Sequence, residues 1–101
     1  MYDCDGYLHA QGLKLAHSSV GDPAAPPVIF AHGGGQTRHA WSAAAKAVAF
    51  EGYRSIILDL RGHGESDWAP DGDYSLGAIA RDLVEVGDSV AVGRPRPHVV
   101  G

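Results

Sequence analysis

Apolar residues along the chain fall into two rhythms. Residues 12–20 alternate at first, with Leu13 and Leu15 on one side and Lys14 on the other, which predicts a half-buried strand near a sheet edge. Gly21-Asp22-Pro23 and then Pro26-Pro27 mark a turn and an extended lead-in. Val28-Ile29-Phe30-Ala31 is wholly apolar, as a strand covered on both faces should be, and His32-Gly33-Gly34-Gly35 breaks it. The rhythm then changes. Trp41, Ala44, Ala45 and Val48 share one helical face, predicting a helix over about 40–51 with Thr37 as N-cap and Gly52 as a left-handed stop. Residues 54–60 read as a strand around Ile56-Ile57-Leu58. A loop rich in Gly and Asp follows over 61–74. Ser75 then caps a second helix over about 76–92, whose predicted stripe is Leu76, Ile79, Ala80, Leu83 and Val90. Gly87 weakens that helix by about 1 kcal/mol relative to Ala. Gly93, Pro95 and Pro97 end it, and residues 98–101 open another apolar strand.

Strands alternating with helices imply parallel strands joined by right-handed crossovers, an α/β sheet. The 101 residues read as one domain, with no repeat, low-complexity tract or internal boundary. Eight Lys+Arg against twelve Asp+Glu give a net charge of −4 with no basic run, which argues against nucleic acid as a partner. No apolar stretch is long enough to span a membrane, and Met1-Tyr2-Asp3-Cys4-Asp5 has neither the basic start nor the apolar centre of a signal peptide. The single cysteine, Cys4, excludes an internal disulfide and fits a reducing cytoplasm; it reads as an inert thiol at a frayed terminus.

In open parallel sheets, ligands bind at the carboxyl ends of the strands, and two loops leave such ends. The first is His32-Gly33-Gly34-Gly35. Glycines between a buried strand and a helix let the backbone approach a ligand with free N–H groups. Three readings compete: an oxyanion hole, a phosphate or dinucleotide cradle, and a tight turn with no ligand. The P-loop form fails because no Gly-Lys-Ser/Thr follows. The dinucleotide form has Gly33 and Gly35 as G-x-G and Asp59 near the ribose-acid position, but Arg38 stands where its third glycine belongs. The second loop opens with Asp59-Leu60-Arg61-Gly62-His63-Gly64-Glu65-Ser66. Gly62 and Gly64 suggest positive φ angles, and the Arg61 fork can hold Asp59 or nearby carbonyls. A dinucleotide fold gives no reason for this loop.

His32-Gly33 followed by Trp41, then Asp59-x-Arg61-Gly62-His63-Gly64-x-Ser66, resembles the N-terminal half of the α/β-hydrolase superfamily, with the match running over roughly 12–101. Residues 33–41 and 67–74 are similar to bacterial members described as epoxide-hydrolase-like or cofactor-free haloperoxidase-like. The resemblance implies a partial α/β-hydrolase fold, mostly parallel, with one helix on each sheet face. It implies that Gly34 donates a backbone N–H to an oxyanion and that Gly33 and Gly35 shape its loop. By the same resemblance His32 orients that loop, Asp59 and Arg61 brace the neighbouring one with Gly62, His63 and Gly64, and Trp41 begins the first helix beside the site. The family carries its nucleophile on a sharp turn after the strand that opens at His98, followed by the acid and the histidine. The expectation is therefore a chain that stops ahead of the nucleophile and needs no metal or organic cofactor. The full-length relative would hydrolyse a small ester, epoxide or similar electrophile. The rival expectations are an inert or non-enzymatic binding or assembly protein, and a dinucleotide module.

Nothing in the sequence replaces the nucleophile. Gly87-Asp88-Ser89-Val90-Ala91 is a near miss inside a helical pattern, and Ser66 suits a turn. His9, His17, His32, His39, His63 and His98 lack zinc-ligand spacing, and Asp71 and Asp73 read as a solvated turn. A half-domain sheet with one helix per face should leave several of Ile29, Phe30, Ile56, Ile57 and Leu58 partly uncovered. It should also expose the edge strand at Val99 and Val100 to non-specific self-association.

Overall fold

The computed structural model of the protein describes residues 3–101. In chain order the elements are β1 (Asp3–Ala10), β2 (Leu13–Val20), β3 (Pro27–Ala31), a 3-10 turn (Arg38–Trp41), α1 (Ser42–Phe50), β4 (Arg54–Leu58), α2 (Leu76–Val90) and β5 (His98–Val100). They form one five-stranded sheet in the order β1-β2-β4-β3-β5. The sheet is mixed: β3 pairs in parallel with β4 and β5, while β1–β2 and β2–β4 are antiparallel. The expectation of a mostly parallel sheet holds only for its β4-β3-β5 half.

The correction comes from β1. Its backbone pairs along the whole of β2, Cys4 opposite Ser19, so the chain at Cys4 is a strand and not a frayed end. The side chain of Cys4, like Met1 and Tyr2, lies outside the described residues. The hairpin turns at Gln11-Gly12, both with positive φ (49° and 79°), the geometry that matches strand twist in a two-residue turn. With β1 in place, β2 is an inner strand and not an edge. Gly6 faces His17 across the pair, where a Cβ would press on the imidazole. Burial, with the Arg54 charge second, pushes the His17 imidazole below its ordinary pKa.

Each face of the sheet carries one helix. Leu15, Ile29, Ile56 and Leu58 pack with Val86 of α2, while Val20, Val28, Phe30 and Ile57 pack with Ala45 and Ala49 of α1. The expectation of an uncovered core is overturned. Ile29, Ile56 and Leu58 are fully buried, and Phe30 and Ile57 are at most 7% exposed. Two things close the core: the alanines of α1 let that helix sit close, and the β1–β2 hairpin brings Leu8, Ala10, Leu13 and Leu15 under the α2 face. β5 does stand at the edge, with Val99 47% and Val100 37% exposed.

Local signals explain the helix ends. Ser75 accepts from Ala78 N–H, as its N-cap position requires. Gly52, at φ 99°, ends α1. Thr37 makes no side-chain cap bond, and the predicted helix opens instead as the 3-10 turn, with Trp41 at the N-cap of α1. Of the expected α2 stripe, Ile79, Leu83 and Val90 pack against the core, partly buried, but the most buried line of the helix lies to one side of them. Ala78, Asp82 and Val86 are buried while Leu76 and Ala80 face out, because Asp82 turns inward to meet Arg61. No helix among the described residues is long and apolar enough to cross a membrane.

Ile56 sits in β4 between β2 and β3, so Ile56→Ala is expected to cost about 2–5 kcal/mol. Phe50→Ser, at a side chain 81% exposed, should change stability by no more than about 0.5 kcal/mol. Urea unfolding of the two variants measures the contrast; equal midpoints would show that the sheet centre is not packed as described.

Candidate functional site

The carboxyl ends of β3 and β4 lie side by side, because the two strands are parallel with Ala31 opposite Leu58. This register places the two glycine-bearing loops against each other. The centre of their contact is Asp59, fully buried at the first position after β4. Its Oδ1 accepts from Arg38 N–H at 2.6 Å, and its Oδ2 accepts from Arg38 Nη1 at 2.6 Å and Glu65 N–H at 3.0 Å. The first bond puts a carboxylate from the neighbouring strand on an N–H at the start of the 3-10 turn, where negative charge is favoured, while the Thr37 side chain makes no cap bond. Burial works against the charged form of Asp59, but the hydrogen bonds from Glu65 and Arg38 and the guanidinium charge outweigh it and hold the carboxyl below the usual range.

Each residue of the second loop then has a stated task. Gly64, at φ 51°, passes so close to the Asp59 carboxylate that any Cβ would overlap it. Gly62, at φ 77°, is crowded in the same way by the Tyr74 ring. Ser66 Oγ donates to Asp59 O at 2.5 Å and accepts from Ala16 N–H at 2.8 Å, fastening the loop to β2. Arg61 does not hold Asp59, contrary to one expectation. Its fork grips Asp82 of α2 through Nε (2.6 Å) and Nη2 (2.7 Å), while Nη1 donates to Asp73 O at 2.9 Å. Arg38 was legible in the sequence only as a departure from the dinucleotide pattern. In the structure it is the partner of Asp59, 6% exposed, and reaches Ser18 Oγ and Glu65 as well. The dinucleotide reading fails here, since an acid buried beneath an arginine offers nothing to a ribose.

The first loop is held from both ends. His32 Nε2 accepts from Leu60 N–H at 3.0 Å, which leaves Nδ1–H to donate to Gly33 O at 2.8 Å. His63, from the other loop, packs its ring against His32 with centroids 4.9 Å apart. Its Nε2 accepts from Gly35 N–H at 3.3 Å, and its Nδ1–H donates to Arg61 O at 3.0 Å. Gly33 N–H is taken by Gln36 Oε1 at 3.0 Å. The Gly34 N–H has no acceptor among the described residues, and Gly34 is exposed. Trp41 leans on Phe30 with ring centroids 5.4 Å apart, on the α1 face beneath the loop.

Neither Ser66 nor Ser89 presents a free hydroxyl to the glycine loop. The Ser66 hydroxyl is consumed as above, and Ser89 Oγ donates to Val86 O on the outer side of α2. Asp71 and Asp73 accept from Asp73 N–H and Ser75 N–H respectively, in tight turns. No group of three metal-ligating side chains occurs among the described residues.

Known proteins share this fold. The alpha/beta hydrolase fold family model matches residues 26–101, from the lead-in of β3 to the last residue. The chain belongs to the alpha/beta hydrolase family. It is 41% identical over 69 residues to an esterase of Mycobacterium tuberculosis, a match covering 68% of this chain and 22% of the esterase. It is 46% identical over 57 residues to a non-heme chloroperoxidase of Kitasatospora aureofaciens, covering 56% and 20%. A variant of the epoxide hydrolase of Solanum tuberosum superposes with a TM-score of 0.86 at 25% identity, over 97% of this chain and 31% of that one. The chain therefore spans between a fifth and a third of the length of these relatives.

Removing the Asp59 charge takes from Arg38 its buried counter-ion and leaves only the exposed Glu65 carboxylate, so Asp59→Asn is expected to cost up to about 3 kcal/mol at pH 7. The folded pKa of Asp59 is depressed, so its stabilisation is present above the unfolded carboxylate value of about 3.9 and is lost as pH falls through the folded value. The stability gap between native and Asp59→Asn chains should accordingly be constant from pH 7 to 5 and narrow steadily below about pH 4. A gap that stays constant as the pH falls below 4 until the native chain unfolds would place the cost elsewhere.

Proposed function

We propose that these residues form the oxyanion-binding part of an α/β-hydrolase acting on a small ester or epoxide, with the Gly34 N–H as one donor. The observation that carries this reading is the distribution of donors in the glycine loop. Gly33 N–H is spent on Gln36 and Gly35 N–H on His63, while Gly34 N–H is open at the carboxyl end of β3. A donor that is fixed and unspent can stabilise charge as it develops on a substrate oxygen without reorganising. The relatives with esterase, chloroperoxidase and epoxide hydrolase activity support the reaction class.

In this reading the nucleophile, acid and catalytic histidine follow β5, in the order the family uses. For an ester, the nucleophile adds to the carbonyl carbon with its proton passing to the histidine, and the oxyanion that forms rests on Gly34 N–H. The ester C–O bond then breaks as the alcohol leaves with that proton, and a histidine-activated water hydrolyses the acyl intermediate to the acid. Where an epoxide is opened by a carboxylate nucleophile, the same donor serves the ester intermediate. His32, Asp59, Arg61, Gly62, His63 and Gly64 keep the donor loop in place and touch no reacting atom.

Gly34 allows a clean test, since its φ is not positive and a Cβ there meets nothing within 4 Å. In a chimera placing the matched segment of this chain into the Mycobacterium tuberculosis esterase, Gly34→Pro removes the N–H and should lower kcat by about 10²–10³. Gly34→Ala keeps the N–H and should cost less than about tenfold. Equal losses in the two variants would remove Gly34 as a donor. The 101-residue chain alone is expected to leave p-nitrophenyl acetate and styrene oxide untouched; turnover abolished by Ser89→Ala would overturn the assignment of the nucleophile.

A further inference from the structure

β1 stands at one edge of the sheet, and its pairing with β2 covers a histidine. His17 lies in the middle of β2, opposite Gly6 of β1 on one side and Leu58 of β4 on the other. The imidazole rests on Gly6, where the missing side chain makes the room: a Cβ there would stand 3.2 Å from its Cε1. His17 is 7% exposed, and its Nδ1 is buried with no hydrogen-bond partner among the described residues. Its surroundings oppose a second proton on the ring. Burial, Arg54 of β4 and Arg38 of the 3-10 turn disfavour the imidazolium, and together they outweigh the Gly6 carbonyl and Asp5 of β1, which favour it. α2 buries one charge against the sheet, Asp82, and that carboxylate is taken up by Arg61 and Gln11. The imidazolium is therefore poorly accommodated while β1 is docked.

We propose that the first half of β1, residues 3–7, is an acid-releasable strand with His17 as its trigger. β1 pairs with β2 alone, whereas β2 keeps β4 as a second partner, so the edge can open without dismantling the sheet. The second half of β1 is held differently. Leu8 and Ala10 pack in the α2 core, and Gln11 at the turn bonds to Ala78 O and Asp82. Opening therefore runs from Asp3 toward Tyr7 and lifts Gly6 off the imidazole. The ring then meets water and takes a proton near its ordinary value of about 6.5. The docked ring takes one only at lower pH, so the open form binds more protons and gains on the docked form as pH falls through 6.5. Above that value both rings are neutral and pH has no effect. Below it, each pH unit favours opening about tenfold until the docked ring protonates as well.

The test is amide hydrogen exchange by NMR on the full 101-residue chain, native and His17→Gln, at pH 7.5 and 5.5, with each rate referred to the unprotected rate at the same pH. In the native chain the protection of the paired amides within residues 4–7 should fall about tenfold between the two pH values, while Ile56 and Ile57 of β4 keep theirs. His17→Gln keeps a polar side chain that takes no proton, and its β1 protection should change less than about twofold. Unchanged β1 protection in the native chain overturns the proposal, and so does an equal fall in His17→Gln, which would assign the effect to another group. A matching loss at Ile56 and Ile57 also overturns it, since the whole sheet would then be opening. Should His17→Gln not fold, the imidazole resonance of His17 in the native chain decides: titration below pH 6.5, alongside the fall in β1 protection, supports the proposal, and titration at or above 6.5 overturns it.

Discussion

One buried carboxylate organises the carboxyl end of this sheet. Asp59 leaves β4 with no exposure to solvent, and the cost of burying its charge must be met by bonds of good geometry. Arg38 meets most of it with a side-chain bond and a backbone bond, and Glu65 N–H adds a third partner. The two halves of that set come from different loops. Arg38 follows the glycine loop and Glu65 lies in the loop after β4, so satisfying one carboxylate brings both loops to a single place. Gly64 is required for the same reason, since only a residue without a Cβ lets the chain fold over the carboxylate. The rest of the site is secondary to this closure. The β3–β4 register sets the loops side by side, Asp59 ties them together, and His32 and His63 add bonds from each loop to the other.

A second ion pair sets the frame around the first. Arg61 uses two nitrogens on Asp82 and a third on Asp73 O, which locks α2 to the loop two residues after Asp59. Gln11 at the β1–β2 turn joins this cluster, donating to Asp82 Oδ1 and Ala78 O. The hairpin, the second loop and α2 therefore share one buried polar network. Such a network is favourable only when each member is satisfied, and here the Asp82 carboxylate has partners on both oxygens. It also explains why α2 turns a charged residue inward at the expense of Leu76. The bidentate pair is directional, whereas apolar burial at the exposed start of a helix contributes little.

Much of this was readable in the sequence, and the gaps have physical causes. β3, β4 and both helices announced themselves through continuous apolar runs and helical spacing. The positive φ values at Gly52, Gly62 and Gly64 followed from the turns that need them. β1 was lost because its core-facing residues include Gly6 and Ala10, poor strand formers that carry little hydrophobic signal. The same small residues allow His17 to sit over Gly6, a contact visible only once the pairing is known. The uncovered core was expected from counting helices, yet the hairpin closes part of what further helices would have covered. At the site, the glycines and Asp59 were legible because their motif spacing is specific. Arg38 was not. A charged residue in a glycine-rich loop reads as surface until its partner, 21 residues away, is placed on the adjacent strand.

The distribution of backbone donors shows how a loop of three glycines acquires direction. Glycine offers the close approach a substrate oxygen needs, but it also offers many conformations. A loop left with three unpaired N–H groups would be attractive to water and indifferent in aim. Here Gln36 removes the first donor and His63 the third, each by a side chain rather than by the loop's own backbone. The middle donor is left open, flanked by two anchored peptides. In the proposed reading, preorganisation of this kind places the entropic cost of aiming the donor in folding and not in the reaction. The stability of the loop pair and the chemistry assigned to Gly34 are thus two consequences of the same hydrogen bonds.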